Sequence, residues 1–170
     1  LVVQPHLLLL DEPFSSLDTG IRHALRNLTA EQIRQQAIPA LLVTHDPEEA
    51  LLMADQIALM HEGKIIQHGS TDTLLNRPVS AWAARLLGCV NVYDDYYIPP
   101  AAIQIDKTQG IACTLLHIQR LPEINRIVFH HPQWGTLSTH VSETAFAHYN
   151  IGASIDIHIN KQLIIHFTGA

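Results

Sequence analysis

The chain has 170 residues, 47% of them hydrophobic and 15% charged, with ten Lys and Arg against sixteen Asp and Glu for a net charge of −6. That length holds one full domain or two small ones, and the composition argues for a packed core rather than disorder. Six basic residues face ten acidic ones over 1–90 and four face six over 91–170, so neither half has the basic balance of a nucleic-acid binder.

No apolar run approaches the roughly 18 residues of a membrane span. Leu1 is not a methionine and no basic stretch precedes Leu7–Leu10, so a signal peptide is not expected and the chain is expected to be a piece of something longer. Cys89 and Cys113 form no C-x-x-C pair. Disulfides are therefore not required, and a cytosolic setting is the expectation.

Residues 1–88 alternate between strand and helix signals. Leu7–Leu10, ending in Asp11-Glu12-Pro13, predicts a strand buried on both faces. From Thr19 to Gln36, Ile21, Leu25, Leu28 and Ile33 recur at helical spacing and predict an amphipathic helix that Pro39 ends. Ala40–Thr44 predicts a second buried strand. Asp46, Pro47 and Glu49 then read as N-cap, N1 and N3 of a helix running on to Ala54. Gln56–Met60 and Lys64–Gln67 predict a hairpin turning at Gly63, Ser70 caps a short helix to Asn76, and Pro78–Leu87 predicts a helix ended by Gly88.

From Val90 onward short strands replace helices, with a boundary expected near residues 89–98. The predicted strands are Ile103–Asp106, Ile111–Gln119, Arg126–His130, Thr136–Val141, Ser154–Asn160 and Gln162–Phe167, with Asn160-Lys161 as a tight connection and Ser142–Tyr149 as the one helix candidate. Strict alternation in Ser154–Asn160 places its isoleucines inward and its polar residues outward. Tyr93, Tyr96 and Tyr97 read as a seam between domains rather than a ligand cage. Seven histidines lie in this half, among them His130, His131, His140, His158 and His166, but their spacing matches no metal-ligand pattern.

The chemistry concentrates in the first half. In an open parallel sheet, ligands bind beyond the carboxyl ends of the strands, and there Asp11-Glu12 is followed at once by Ser15-Ser16-Leu17-Asp18. Asp11 is placed to hold Mg²⁺ through water, and Glu12 to polarise a water for attack on a phosphate. The next strand ends in Val43-Thr44-His45-Asp46. His45 can there reach the same cleft and donate to a transferring phosphoryl oxygen. Asp18 also reads as a helix cap, and Asp46 as a cap alone.

These residues resemble a known family. Leu7–Glu12 is similar to the Walker B segment, Ser16-Leu17-Asp18 to the D-loop and Val43–Asp46 to the switch-histidine loop of ABC transporter ATP-binding subunits. Pro13–Asp18 and Glu48-Glu49-Ala50 look most like the importer branch serving ferric iron, sugars, sulfate and polyamines. The resemblance implies an α/β fold, the C-terminal half of a P-loop ATPase domain over 1–90, followed over 91–170 by a small all-β OB-like barrel of the TOBE type. It implies ATP and Mg²⁺ as cofactors and Glu12 and His45 as catalytic residues. Asp11, Asp18 and His45 would bind nucleotide, with Asp11 also on the metal, and Ser16, Leu17 and Asp18 would lie at a dimer interface. It further implies a homodimer with a second copy of the subunit, membrane permease subunits as partners and a peripheral place on the cytoplasmic face of the inner membrane. The phosphate-cradling G-x-x-x-x-G-K-[ST] loop and the Leu-Ser-Gly-Gly-Gln signature occur nowhere in the 170 residues. The chain alone is therefore expected to be an inactive fragment. Two other readings stay open: a non-catalytic module whose β half binds a small anion or a partner domain, and an ABC ATPase outside transport.

Overall fold

The computed structural model describes residues 5–106, 108–120, 124–142 and 150–167. Of the helix candidate Ser142–Tyr149, all but Ser142 falls outside them. The chain divides into one unit from Leu1 to Leu75 and another from Asn76 to Ala170.

In the first unit, β1 (Leu8–Asp11) and β2 (Ala40–Val43) pair in parallel, Leu8 opposite Ala40 and Asp11 opposite Val43. Between them runs α1 (Thr19–Gln36), and after them α2 (Pro47–Met53). β3 (Gln56–His61) and β4 (Lys64–Ser70) form the expected antiparallel hairpin. Glu62 and Gly63, at φ 48° and 75°, make the two-residue turn that the strands' twist favours. Ser70 Oγ accepts the Thr73 N–H at 3.2 Å and starts α3 (Thr71–Asn76).

The strands are in register with expectation but their burial is not. Leu9 is 66% exposed and Leu41 and Val43 are exposed beside it. A strand buried on both faces needs a layer on each side, and among the described residues β1 and β2 pair only with each other. The stripe on α1 is likewise reversed: Ile21, Leu25 and Leu28 are exposed, and the buried residues of the helix are Arg26 and Ala30. On the face that α1 turns inward, Arg26 meets carboxylates and sits with the apolar Ala30.

The second unit begins with α4 (Ala81–Leu86), shorter than predicted because Ser80, not Pro78, supplies the cap to Ala83 N–H. Gly88, at φ 78°, ends it. Then follow β5 (Tyr96–Tyr97), β6 (Ile103–Ile105), β7 (Ile111–Arg120), β8 (Asn125–His131), β9 (Gly135–Val141), β10 (Ser154–Ile159) and β11 (Ile165–His166). β6 to β10 make a five-stranded antiparallel sheet in the order β6-β10-β7-β8-β9. Its core holds Cys113, Leu115, Ile127, Phe129, Leu137, Ile155 and Ile157, all but solvent-free, as the alternation predicts. Burial pushes the Cys113 thiol up to about 11, which makes it an inert packing residue.

Two features depart from the sequence reading. Lys161–Leu163 is a 3-10 turn rather than strand, so only Ile165–His166 remains extended, pairing with β5. The tyrosines pack on the unit's own core: Tyr93 stacks on Tyr96 at 4.7 Å between ring centroids, and Tyr96 meets Trp134 edge-on at 5.4 Å. At the sheet's edge Asn91, itself at φ 59°, accepts the Ser138 N–H at 2.7 Å and donates to the Ser138 carbonyl at 2.8 Å. No helix among the described residues is long and apolar enough to cross a membrane.

Candidate active site

The parallel pairing of β1 and β2 brings their carboxyl ends side by side. Glu12 follows β1 and donates its N–H to the Val43 carbonyl at 2.9 Å. A residue before proline ordinarily lies extended. Glu12 instead sits in the left-handed region at φ 44°, a conformation that is strained for a side chain of this kind and concentrates at functional sites. The turn that follows holds it there: the Glu12 carbonyl accepts from Ser15 N–H at 3.3 Å and Ser15 Oγ at 3.0 Å, and Phe14 is buried behind it.

His45, thirty-three residues later, meets Glu12 directly. Its backbone N–H donates to Glu12 Oε1 at 3.0 Å, and its Nδ1 lies 2.6 Å from the same oxygen. Among the described residues Oε2 has no hydrogen bond, so it is free to accept from a water. The hydrogen bond to Glu12, then its charge, raise the His45 pKa, with Asp46 and Glu49 adding to the effect. This matters for the ring's other nitrogen. With Nδ1 donating to a carboxylate, Nε2 is an acceptor in neutral imidazole and a donor only in imidazolium. Glu12 therefore favours the form of His45 that can donate to an anion.

Asp11 ends β1 on an exposed face, and its carboxylate takes no hydrogen bond from the described residues. One open carboxylate fits Mg²⁺, which keeps most of its water and takes few protein oxygens. Asp18 caps α1, its Oδ1 accepting from Gly20 N–H and Ile21 N–H at 3.1 Å each. Arg22 Nη2 donates to the Leu17 carbonyl at 2.7 Å and ties the Ser16-Leu17-Asp18 segment to the same helix.

Behind His45 lies a set of residues that the sequence reading missed. Arg26, 2% exposed, donates to Glu49 Oε1 from Nε at 3.2 Å and Nη2 at 2.8 Å, and its Nη2 also pairs with Asp46 Oδ2. Thr44 Oγ1 donates to Glu49 Oε2 at 2.7 Å and accepts the Asp46 N–H at 3.0 Å. Asp46 is thus more than a cap. Burial works against its charge, but the Glu48 N–H and the Arg26 guanidinium outweigh that and lower its pKa. An arginine among polar helix positions carries no sequence signal of burial, since its partners lie 20 and 23 residues away.

No family model matches the chain. Among curated proteins it is 49% identical over 85 residues to the Fe(3+) ions import ATP-binding protein FbpC of Serratia marcescens, covering 50% of this chain and 25% of that one. It is 37% identical over 106 residues to the spermidine/putrescine import ATP-binding protein PotA of Ureaplasma parvum (62% and 20%). With the sulfate/thiosulfate import ATP-binding protein CysA of Mycobacterium tuberculosis it shares 38% over 112 residues (66% and 32%). The chain thus spans about a fifth to a third of the length of these relatives. A solved metal-chelate type ABC transporter in an inward-facing conformation aligns with 83% of this chain and 42% of that one at 17% identity and a TM-score of 0.42, too low to argue a shared fold. Over half to two thirds of its length, this chain is homologous to the ATP-binding subunits of ABC importers.

Proposed function

We infer, from that homology and from the meeting of Glu12 with His45, that this chain is the part of an importer's ATP-binding subunit that engages the γ-phosphate end of ATP. The observation that carries the reading is the convergence of the His45 N–H and imidazole on one oxygen of a backbone-strained Glu12 at the tips of two parallel strands. Glu12 Oε2 accepts from a water and takes up its proton as the water attacks. His45, whose protonated form Glu12 favours, donates from Nε2 to a γ-phosphoryl oxygen where negative charge develops. Asp11 would hold Mg²⁺ through water, where the ion offsets phosphate charge. Ser16, Leu17 and Asp18 are read as the segment facing a second copy of the subunit in a homodimer.

On this reading residues 1–90 belong to the ATPase domain and 91–170 to a TOBE-type regulatory β domain, and permease subunits on the cytoplasmic face of the inner membrane are the partners. The relatives are named for ferric iron, polyamines and sulfate, so the inference concerns the shared motor and not the solute. The 170 residues alone are expected to bind ATP weakly, because the backbone cradle that supplies most phosphate affinity is not among them.

The test uses the complete subunit. Glu12→Gln keeps the size of the side chain and removes its charge, so it should bind ATP, dimerise and stall. His45→Ala should lower turnover by about 10²–10³, the usual loss for one transition-state donor. Asp11→Asn should weaken Mg²⁺-dependent nucleotide binding. Wild-type hydrolysis by Glu12→Gln, or its failure to bind ATP, overturns the base assignment.

A further inference from the structure

The His45 side chain is 79% exposed, so packing does little to orient it. Yet orientation is what a transition-state donor requires, since a misplacement on the order of 1 Å can cost about a hundredfold. Beyond the ring's own contact with Glu12 Oε1, what holds it in place acts through the backbone on either side. Thr44 and Asp46, its two neighbours, are both anchored. Thr44 is fixed to Glu49 through its hydroxyl, and that hydroxyl also receives the Asp46 N–H. One Asp46 oxygen caps Glu48 N–H at 2.9 Å and the other pairs with Arg26. Glu49 and Arg26 are buried where the flanking loop is not, so the network ties an exposed loop to a solid base. We propose that Arg26, Glu49 and Thr44 are positioning residues that fix the 44–46 loop and thereby aim His45 at the Glu12 carboxylate.

The proposal rests on the reading of His45 as the phosphate-facing donor, but the geometry it predicts can be measured without ATP. Within the relay Thr44 is the separable part. Thr44→Val keeps the shape of the side chain and leaves the Arg26 pairs with Asp46 and Glu49 intact, so the tie between α1 and α2 survives. It removes both loop bonds made by the hydroxyl. Thr44→Ser keeps them.

Amide hydrogen exchange and ¹⁵N relaxation on the 170-residue chain read the result. In Thr44→Val the His45 amide, which donates to Glu12, should exchange about tenfold faster, the equivalent of one lost hydrogen bond. Order parameters should fall at residues 44–46 while the melting temperature stays near wild type. Thr44→Ser should restore both. Glu49→Gln, measured in parallel, should move the His45 amide in the same direction by less, because an amide can still fill the site without its charge. If Thr44→Val and Glu49→Gln leave the His45 amide and the loop order unchanged, the network only staples two helices and the proposal falls. If the loop loosens as expected while His45→Ala does not slow turnover in the complete subunit, positioning stands and the donor reading is what fails.

Discussion

The two units place charge and apolar surface in opposite ways. In the second, alternating isoleucines go inward and polar side chains outward, and the sheet closes over a core led by Phe129, Ile127 and Leu137. In the first, the largest buried side chain is a charged one, Arg26, while Leu9, Ile21, Leu28 and Leu41 are exposed. The second unit's geometry thus rests on hydrophobic burial, which is non-directional and spread over many contacts. The first unit's site rests on a few directional ion pairs and hydrogen bonds. Directional contacts such as those that join Glu12 to His45 can therefore be complete at short range where the layers that would cover the strands are not.

The sharpest way to break this contrast is to separate the units. Residues 76–170 expressed alone should give a dispersed NMR spectrum and one cooperative melt. Residues 1–75 should aggregate through their exposed apolar strands and helix stripe. A dispersed spectrum from 1–75 would show its apolar faces to be self-sufficient. Next in size, Phe129→Ala should cost about 3–5 kcal/mol in urea denaturation, as truncation of a fully buried aromatic does, whereas Leu9→Ser should stay within about 0.5 kcal/mol. Equal costs would erase the distinction between the units.

A smaller effect is expected at the network. Arg26→Met strands Asp46 and Glu49 and should cost about 1–3 kcal/mol, less than a pair buried on both sides because Asp46, one of the two partners left behind, is 25% exposed to water. A melt unchanged by this substitution would mean that the ion pairs do not hold the first unit together.

The smallest effects are in pH, and their signs differ between units. Glu12 raises the pKa of His45, so that pairing contributes fully below the ordinary imidazole value near 6.5 and fades as pH rises through the raised one. Burial first, and then His130, lower the pKa of His131, so its neutral form is the folded one and its share of stability is lost as pH falls below the ordinary value toward the lowered one. Imidazole proton titrations should put His45 above and His131 below the free value, with Glu12→Gln returning His45 toward it. Midpoints in the reverse order would refute both environments.

Much of this was legible in the residues. Asp46-Pro47 announces a helix start because Pro tolerates N1 and Asp accepts an orphan N–H, and Glu62-Gly63 announces a turn. The isoleucines of β10 give their own burial away by alternation. Three things were not legible. Burial of β1 and β2 depends on layers that no local pattern reports. The inward turn of Arg26 depends on carboxylates distant in sequence, against the rule that charge stays outside. Glu12's left-handed backbone contradicts what a residue before proline prefers, and only the contacts around it make that conformation stand. Of the candidate site, the sequence pointed to Asp11, Glu12, Asp18 and His45, and the structure brings Glu12 and His45 together; the Arg26, Glu49 and Thr44 network behind them had no signal in it.

Asn91 has a consequence for the chain's behaviour in a crowd. β9 is an outermost strand, and an open row of amides and carbonyls invites any extended peptide to zip alongside. By presenting an acceptor and a donor to the two polar groups of Ser138, Asn91 counterfeits one residue of a neighbouring strand. Tyr93 adds to the disguise by donating to the Thr136 carbonyl at 3.0 Å. An incoming strand would have to displace both before finding register, so fibril growth from this edge meets a lock whose key is a side-chain amide.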